Sequence, residues 1–234
     1  MRIILIPGLW LDGSAWDAVL PGLRDAGHDP VAVTLPGQGD GAASATLEEQ
    51  LNAVRAAMSL ATAPVLVVGH SAASTLAWMA ADRRPELVAK VVFIGGTPSA
   101  QGGEYAPWFE VTGGAVPFPG WEAFSGPDAD DLDEATRARI AEATHPVPEG
   151  VVKGTVNYTN AERHAIPSVE ICPEFSPADA RAWIHSGQAP ELAAMQNLEL
   201  VDLDSGHWPM YSTPDELARA LASIASGNGP IVAS

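Results

Sequence analysis

The chain has 234 residues, of which 47% are hydrophobic and 18% charged, which is typical of one α/β domain with a single substantial core. With 12 basic against 29 acidic residues, its formal charge of −17 excludes the basic surface that nucleic acid or anionic lipid requires. Its one cysteine, Cys172, excludes an internal disulfide, and no segment has the pattern of a signal peptide or a membrane span. We therefore expect a single cytoplasmic domain, residues 1–234, without nucleic-acid or membrane partners.

Six short apolar runs, rich in β-branched residues, alternate along the chain with segments of helical pattern. Such alternation predicts an α/β fold with a mainly parallel sheet flanked by helices. The runs are residues 2–6, 30–34, 64–68, 90–95, 167–172 and 198–203.

Helix start signals lie between these runs. Thr46-Leu47-Glu48-Glu49 and Thr213-Pro214-Asp215-Glu216 have the pattern of a capping box, and Ser176-Pro177 is a third start signal. The tail from Ser226 contains two glycines, an asparagine and a proline, so we expect it to be frayed. The predicted helices are residues 46–60, 72–83, 178–185 and 213–225.

The loop Pro7-Gly8-Leu9-Trp10 follows the first run, at the carboxyl edge where open parallel sheets form active sites. Gly8 permits close approach of the backbone, and the loop lacks the glycine-rich and Walker patterns of phosphate-binding sites. The amide of Leu9 is therefore the best placed group of this loop to donate a hydrogen bond to an oxyanion.

The segment Gly69-His70-Ser71-Ala72-Ala73 follows the third run and predicts a sharp turn from a buried strand into a helix. On such a turn the serine has a strained backbone that exposes its hydroxyl above the sheet, provided that the residues two before and two after it are very small. Ser71 is therefore the candidate nucleophile, and the amide of Ala72 is the second candidate oxyanion donor. Ala73 departs from the usual Gly-x-Ser-x-Gly pattern by one methyl group.

Between the fourth and fifth runs the alternation lapses in a stretch rich in glycine, proline and aromatic residues. We define the cover segment as residues 98–165 and predict that it is a lid insertion of short helices over the sheet, including one near residues 132–143. The alternative is an ordinary packed excursion whose aromatic residues fill their own small core. The aromatic residues are Tyr105, Trp108, Phe109, Phe118, Trp121 and Phe124.

A serine nucleophile needs a base to remove its proton and a further group to orient that base. His207 lies in Asp204-Ser205-Gly206-His207-Trp208-Pro209, directly after the last run, and is the candidate base because its loop opens at the same sheet edge as Ser71. Glu174 is the only carboxylate directly beyond the fifth run and is the candidate acid. The alternatives that stay open are Asp179, Asp204, Glu104 and a Ser-His dyad without an acid.

The other histidines and the cysteine are predicted to be structural. His70 flanks the turn with its ring directed away from the serine hydroxyl, so we expect it to support the structure or to line the pocket. Cys172 is expected to be a small buried residue, because nothing near it activates a thiolate. The remaining histidines are His28, His145, His164 and His185.

Together these residues resemble the α/β-hydrolase superfamily over nearly the whole chain. The segment 7–16, Pro-Gly-Leu-Trp-Leu-Asp-Gly-Ser-Ala-Trp, is similar to the esterase and hydroxynitrile lyase branch, with Pro7 in place of the branch's histidine. The lyases usually carry threonine at the position of Gly8 and lysine at that of Trp208, so the resemblance implies an esterase-like site. Ser71 stands where the dehalogenases and epoxide hydrolases of the superfamily carry aspartate, which argues against those activities.

The predicted function is that of a serine hydrolase acting on a small, largely apolar ester or lactone through an acyl-enzyme. Ser71, His207 and Glu174 form the predicted catalytic set, while Leu9 and Ala72 donate to the oxyanion. No cofactor or metal is expected. Two alternatives stay open: a lyase or cyclase using Ser71 and His207 as an acid–base pair, and a ligand-binding protein on a hydrolase scaffold. The sequence gives no oligomeric state.

Overall fold

The structure, a computed structural model, describes residues 1–227 of the chain. Its main sheet has six strands in which every neighbouring pair is parallel, which confirms the predicted α/β class. In spatial order these strands are β2 (Asp29–Ala32), β1 (Arg2–Ile6), β3 (Val65–His70), β4 (Val88–Ile94), β7 (Ser168–Cys172) and β8 (Leu198–Asp202). Two short strands, β5 (Ala115–Val116) and β6 (Val147–Pro148), form a separate antiparallel pair.

Nine α-helices accompany the sheet in the described part of the chain. Five of them, at residues 47–59, 73–83, 134–142, 177–186 and 214–225, are the helices that the sequence predicts, whereas the other four are short and carry no clear sequence signal. The helices are α1 (Leu20–Asp25), α2 (Leu47–Ser59), α3 (Ala73–Arg83), α4 (Glu134–Glu142), α5 (Glu149–Val152), α6 (Pro177–Ser186), α7 (Pro190–Ala194), α8 (Pro209–Ser212) and α9 (Pro214–Ala225). Within residues 1–227, none of them has the length and apolarity needed to cross a membrane.

Two of the three predicted helix caps form as expected. Thr46 and Glu49 make a reciprocal capping box at α2, and Ser176 does so with Asp179 at α6. The capping box predicted at Thr213 is wrong: its side chain caps nothing, and its hydroxyl is buried without a partner. Because α8 ends immediately before it, the Thr213 amide bonds back to the Pro209 carbonyl at 3.0 Å, while its own carbonyl accepts from the Leu217 amide at 3.0 Å at the start of α9. The backbone of Thr213 thus starts the predicted helix without the predicted side-chain cap. The predicted frayed tail from Ser226 lies, beyond Gly227, outside the described residues.

Alternate residues of the central strands pack into two hydrophobic cores, one on each face of the sheet. On one face, Val67 and Phe93 pack with residues of α2 and α3. On the other, Val68 and Ile94 pack with residues of α1 and α9. Strands buried on both faces have the continuous apolar runs that the sequence contains, which explains why the runs located the strands to within two residues.

The cover segment is less helical than predicted. Its only regular helix longer than one turn is α4, and the rest consists of α5, the pair β5–β6, two 3-10 turns and loops. The stretch from Gly113 to Gly120 holds three glycines and two prolines, which oppose helix formation. The end of the segment is fixed to the domain by Arg163, which pairs with Asp82 of α3 at 3.3 Å and with Glu191 of α7 at 3.1 Å.

The strand order places two loops together at one edge. From β1 the chain goes to β2 on one side of the sheet, whereas β3 pairs with β1 on the other side, so the topology switches between β1 and β3. The loops that leave the carboxyl ends of β1 and β3 diverge there, and ligands of open α/β sheets bind in such a crevice. These are the loops that carry Leu9 and Ser71.

Candidate active site

The turn after β3 has the strained conformation expected of a nucleophile position. Ser71 has a φ of 55°, in the left-handed region that costs a residue other than glycine about 1–3 kcal/mol. Its amide donates to the Ile94 carbonyl at 2.8 Å, and its carbonyl accepts from the Ser74 amide at 3.0 Å. The strained residue is thus held by β4 on one side and by the first turn of α3 on the other.

Two glycines allow this turn to pack. A Cβ on Gly69 would lie 2.3 Å from the carbonyl oxygen of Ala73, and a Cβ on Gly96 would lie 2.6 Å from that of Ser71. Both obstacles are backbone atoms, which cannot rotate away. Ala73, in contrast, is completely buried at the start of α3, so its methyl group is accommodated where the usual pattern has glycine.

Two backbone amides near Ser71 lack an acceptor. Within the described chain, neither the Leu9 amide nor the Ala72 amide donates a hydrogen bond, although both residues are buried. Gly8 brings the two loops together, since a Cβ on it would lie 3.2 Å from Ser71 Cβ. The two predicted oxyanion donors therefore lie on loops that approach each other closely.

The candidate base and acid are in direct contact. His207 Nδ1 donates to Glu174 Oε1 over 2.6 Å, and both side chains are largely shielded from solvent. This bond fixes the proton of the neutral imidazole on Nδ1 and leaves the Nε2 lone pair free to accept one. Gly95, with a φ of 61°, makes room for the pair: a Cβ there would lie 3.1 Å from Glu174 Oε2 and 3.2 Å from His207 Nδ1.

Ser71 and His207 line the same cavity, which has a volume of about 160 Å³. The Ser71 hydroxyl forms no hydrogen bond with any residue in the range 1–227, His207 included. A larger groove of about 400 Å³ lies between the start of β1 and the end of α2 and contains none of the predicted site residues. The smaller cavity is lined by Leu9, Trp10, His70, Ser71, Trp108, Phe109, Phe124, His207 and Trp208.

Aromatic rings form most of the cavity wall. Trp10 packs edge-to-face on Phe109 and Phe124 at centroid distances of 4.9 and 5.9 Å, and Phe124 packs in the same way on Trp208 at 5.0 Å. Trp108, at the mouth, is 59% exposed. The aromatic residues of the cover segment are therefore shared between its packing and the cavity, which combines the two interpretations that the sequence left open.

His70 supports the His207 loop from the side of the sheet. Its Nε2 donates to the His207 carbonyl over 2.7 Å, and burial, followed by the charge of His207, lowers the pKa of His70 to about 3. The ring is therefore neutral at physiological pH. Its Nδ1 is buried without a partner and faces Gly8, where a Cβ would lie 2.7 Å away.

A second glutamate lies close to the candidate acid. Glu170 of β7 is completely buried, and its carboxyl oxygens have no hydrogen-bond partner of good geometry; the nearby Gly96 amide favours the charged form less than burial opposes it. Burial raises the pKa of Glu170 well above its usual range, and the negative charge of Glu174 adds to the effect. Cys172, two residues on, is also buried, and burial raises the pKa of its thiol, so it is not poised to react.

The other candidate acids lie elsewhere. Asp179 accepts hydrogen bonds from the Ser176 amide and hydroxyl in its capping box. Glu104 is exposed in the cover segment, where its backbone forms a β-bridge with Thr155. Asp204 makes no hydrogen bond to His207, for which Glu174 is the carboxylate partner among residues 1–227. Neither Asp179 nor Glu104 forms a hydrogen bond or an ion pair with His207 within residues 1–227.

The four remaining histidines lie away from the cavity lining. Their nearest polar partners are Ser226 for His28, Asp12 for His145, Glu191 for His164 and the Arg181 carbonyl for His185. Across the described residues, no group of three or more His, Cys, Asp or Glu side chains is arranged to hold a metal ion.

Sequence reasoning missed the aspartates of the cover segment that hold the His207 loop. Asp131 accepts a hydrogen bond from the Gly206 amide at 2.7 Å, and the Asp128 carbonyl accepts one from the His207 amide, also at 2.7 Å. These residues lie more than 70 positions before their partners, and nothing in their local pattern distinguishes them from other acidic surface residues.

A parallel sheet with a serine turn after a central strand, and an imidazole–carboxylate pair from the two last strands, defines a hydrolase-type α/β architecture. The chain belongs to the alpha/beta hydrolase family, whose profile matches residues 3–220. The resemblance drawn from the sequence is therefore confirmed at the level of the superfamily. A comparison with curated protein sequences finds no match.

Similar solved structures include several esterases and hydrolases. An extracellular α/β-hydrolase from a Paenibacillus species, described as a structural and functional homologue of tobacco salicylic acid binding protein 2, has 16% identity and a TM-score of 0.79 over 96% of this chain and 98% of its own. A methylesterase from Arabidopsis has 16% identity and a TM-score of 0.74, over 97% and 99%. A pyrethroid hydrolase from Sphingobium faniae has 25% identity and a TM-score of 0.68, over 97% of both chains. These structures share the fold of this chain over nearly its whole length, and the family match supports a hydrolase.

Proposed function

We propose that this chain is a serine hydrolase that cleaves a small, largely apolar carboxylic ester or lactone through an acyl-enzyme on Ser71. The observation that carries the proposal is the 2.6 Å bond between Glu174 and His207 beside the cavity that Ser71 also lines. Two unpaired amides adjoin the same serine. A nucleophile, an oriented base and a pair of donors are the parts that acyl transfer requires.

In the proposed acylation, Ser71 Oγ attacks the ester carbonyl carbon and passes its proton to His207 Nε2. The Leu9 and Ala72 amides stabilise the oxyanion of the tetrahedral intermediate, an effect worth about a hundredfold to a thousandfold in rate per donor. His207 then returns the proton to the leaving alkoxide as the carbon–oxygen bond breaks. The Ser71–His207 hydrogen bond that this step needs forms in the substrate complex, as such bonds often tighten only there.

Deacylation repeats the sequence with water as the nucleophile. A water molecule gives its proton to His207 Nε2 and attacks the acyl carbon, and His207 then protonates Ser71 Oγ as the acid leaves. Throughout, Glu174 keeps the imidazole in the tautomer whose Nε2 is free and stabilises the imidazolium that forms in each half-reaction.

The cavity defines the kind of substrate that the proposal includes. Apart from Ser71 and two imidazoles, its lining consists of apolar and aromatic side chains, which favours a substrate with little charge. Its volume of about 160 Å³ is close to that of a cavity that holds one benzene ring, about 150 Å³. In this proposal the cover segment acts as the lid that supplies three of these rings, those of Trp108, Phe109 and Phe124. The single cysteine supports a cytoplasmic location, which fractionation of the source cells would test.

Turnover of short-chain aryl esters by three matched proteins tests the proposal. Ser71→Ala is expected to lose at least about a thousandfold in kcat, because members of such a catalytic set fail together. Ser59→Ala, which changes an exposed serine at the end of α2, is expected to match the native protein. Equal turnover by Ser71→Ala and the native protein would reject the serine mechanism.

The same preparations separate the two alternatives. A lyase or cyclase that uses Ser71 and His207 as an acid–base pair would lose activity in Ser71→Ala but would form no acyl-enzyme. A ligand-binding protein would be stabilised by its ligand, with a higher unfolding temperature, and would release no product from any ester.

A further inference from the structure

The cover segment holds the loop that carries His207 by its backbone. The Asp131 carboxylate accepts the Gly206 amide at 2.7 Å and the Ser205 hydroxyl at 3.3 Å. One residue further on, the Asp128 carbonyl accepts the His207 amide at 2.7 Å. Consecutive amides of the His207 loop are therefore bound by two residues that lie far away in sequence.

The fit between the two segments leaves no room for a side chain at Gly206. A Cβ there would lie 2.3 Å from Asp131 Oδ1 and 2.5 Å from the Asp128 carbonyl oxygen. The φ of Gly206 is outside the left-handed region, so the backbone alone does not demand glycine. Glycine is required at position 206 because the cover segment approaches it so closely.

The residue after His207 is held by the same part of the cover. The indole of Trp208 packs edge-to-face on Trp121 at a centroid distance of 5.1 Å and on Phe124 at 5.0 Å. Gly206, His207 and Trp208 thus each have a partner in the cover. The domain itself holds His207 at two further points, through Glu174 on the ring and His70 on the carbonyl.

The segment that provides these contacts is itself firmly placed. Ala129 and Leu132 are buried in the core beside α9, at 2% and 4% exposure. The Arg137 guanidinium donates to the Ala129 carbonyl, and Asp133 caps the start of α4 through the Thr136 amide at 2.7 Å. A segment anchored in this way can fix the loop it touches, because its own atoms have little freedom to follow.

We infer that Asp131 is a positioning residue for His207, which makes the cover segment part of the acid–base machinery as well as a wall of the cavity. The inference rests on the proposed function, since it assigns Asp131 an effect on the base of that reaction. The Ser205–Gly206 stretch is neither helix nor strand, so the charge-assisted bond from Asp131 is a main restraint on its path. Without it, Nε2 of His207 would lose its alignment with Ser71.

Three variants of neighbouring residues test this role. Asp131→Ala removes the acceptor and is expected to lower kcat about 10- to 100-fold, since misplacement of a catalytic group by about 1 Å costs on this order. KM for a short aryl ester should stay within about twofold, because the cavity wall is unchanged. Asp131→Asn keeps a carbonyl oxygen for the Gly206 amide and should retain kcat within about threefold. Asp130→Ala removes an adjacent exposed carboxylate and should match the native protein.

A spectroscopic readout separates positioning from a general loss of stability. The short Nδ1–H···Oε1 bond between His207 and Glu174 should give a downfield proton resonance that is present in Asp130→Ala and Asp131→Asn but weakened in Asp131→Ala. As a second variant, Gly206→Ala should reproduce the kcat loss, because its methyl group displaces Asp131. Unfolding temperatures are measured alongside, and assays are run well below the lowest of them.

The inference is overturned if Asp131→Ala keeps its kcat within twofold of the native value, or if Asp131→Asn or Asp130→Ala loses as much as Asp131→Ala. This failure is distinct from failure of the proposed function, which Ser71→Ala reports separately. A dead Ser71→Ala protein beside a fully active Asp131→Ala protein would preserve the hydrolase proposal and refute the positioning role.

Discussion

The serine side and the histidine side of the cavity are built in different ways. Ser71 lies in a turn whose sequence signal spans five residues, with a glycine two positions before it and a helix that begins two positions after it. From outside this turn, β4 adds the bond from the Ser71 amide to the Ile94 carbonyl. His207 lies in an irregular loop whose partners come from three distant parts of the chain: Glu174, His70 and the cover segment. A nucleophile position can thus be encoded locally, whereas the base depends on the whole fold.

The largest effect is expected for Gly69, in the turn that carries Ser71. Gly69→Val should destabilise the protein by more than about 3 kcal/mol or prevent folding, because its Cβ would meet the Ala73 carbonyl at 2.3 Å and neither partner can rotate away. Chemical denaturation of the soluble fraction measures the loss. Ala73→Gly, which restores the usual pattern, should change stability by no more than about 1 kcal/mol. Comparable stability of Gly69→Val and the native protein would show that the turn is not so constrained.

The next largest effect concerns the orienting acid on the other side. Glu174→Gln should lower kcat by about a hundredfold to ten-thousandfold, because the imidazole loses the carboxylate that fixes its tautomer. Asp179→Asn provides the matched control: it should weaken the cap of α6, with a loss of about 1 kcal/mol in stability, and leave kcat unchanged. A larger kcat loss in Asp179→Asn than in Glu174→Gln would contradict the assignment of the acid.

A smaller effect is expected where the cover forms the mouth of the cavity. Trp108 is 59% exposed, so a substrate longer than the cavity would cover part of its indole. Trp108→Ala should raise KM for aryl hexanoates about 5- to 10-fold, while acetates change less, because buried apolar area contributes about 25 cal/mol per Å². Leu60→Ala changes another exposed apolar residue, which lies outside the cavity lining, and should have no such effect. If Trp108→Ala changed KM by the same factor for acetates and hexanoates, the indole would not contact substrate.

The smallest effect concerns Glu170, buried in β7 close to Glu174. Its pKa in the folded protein is raised, so the unfolded chain releases the proton first, and the stability linked to this group is full at acidic pH and lost as pH rises above the ordinary carboxyl range. Glu170→Gln is neutral at every pH. The stability of the Glu170→Gln variant relative to the native protein should therefore improve between pH 5 and pH 8, as measured by unfolding temperature. A difference independent of pH would mean that Glu170 titrates normally.

The two sides also differ in how far the sequence predicts them. The turn at Ser71 and all six sheet strands follow from residues close to one another, because buried parallel strands and tight turns leave continuous apolar runs and small residues. Glu174 is predicted as the candidate acid from its position directly after a strand. The Asp131–Gly206 hydrogen bond cannot be predicted in this way, since it joins residues 75 positions apart that meet only after the chain has folded. The cap at Thr213 fails for a local reason, because α8 ends directly before it. In the glycine-rich part of the cover segment, the sequence likewise predicts more helix than the structure contains.

The most direct test of the central claim is the mass of the protein during turnover. When p-nitrophenyl butanoate is mixed with the native chain and quenched in acid within the first turnover, we expect a butanoyl adduct on the peptide that contains Ser71, and none in Ser71→Ala. Turnover that proceeds at the native rate without acylation of Ser71, or with the acyl group on another residue, would contradict the proposed mechanism.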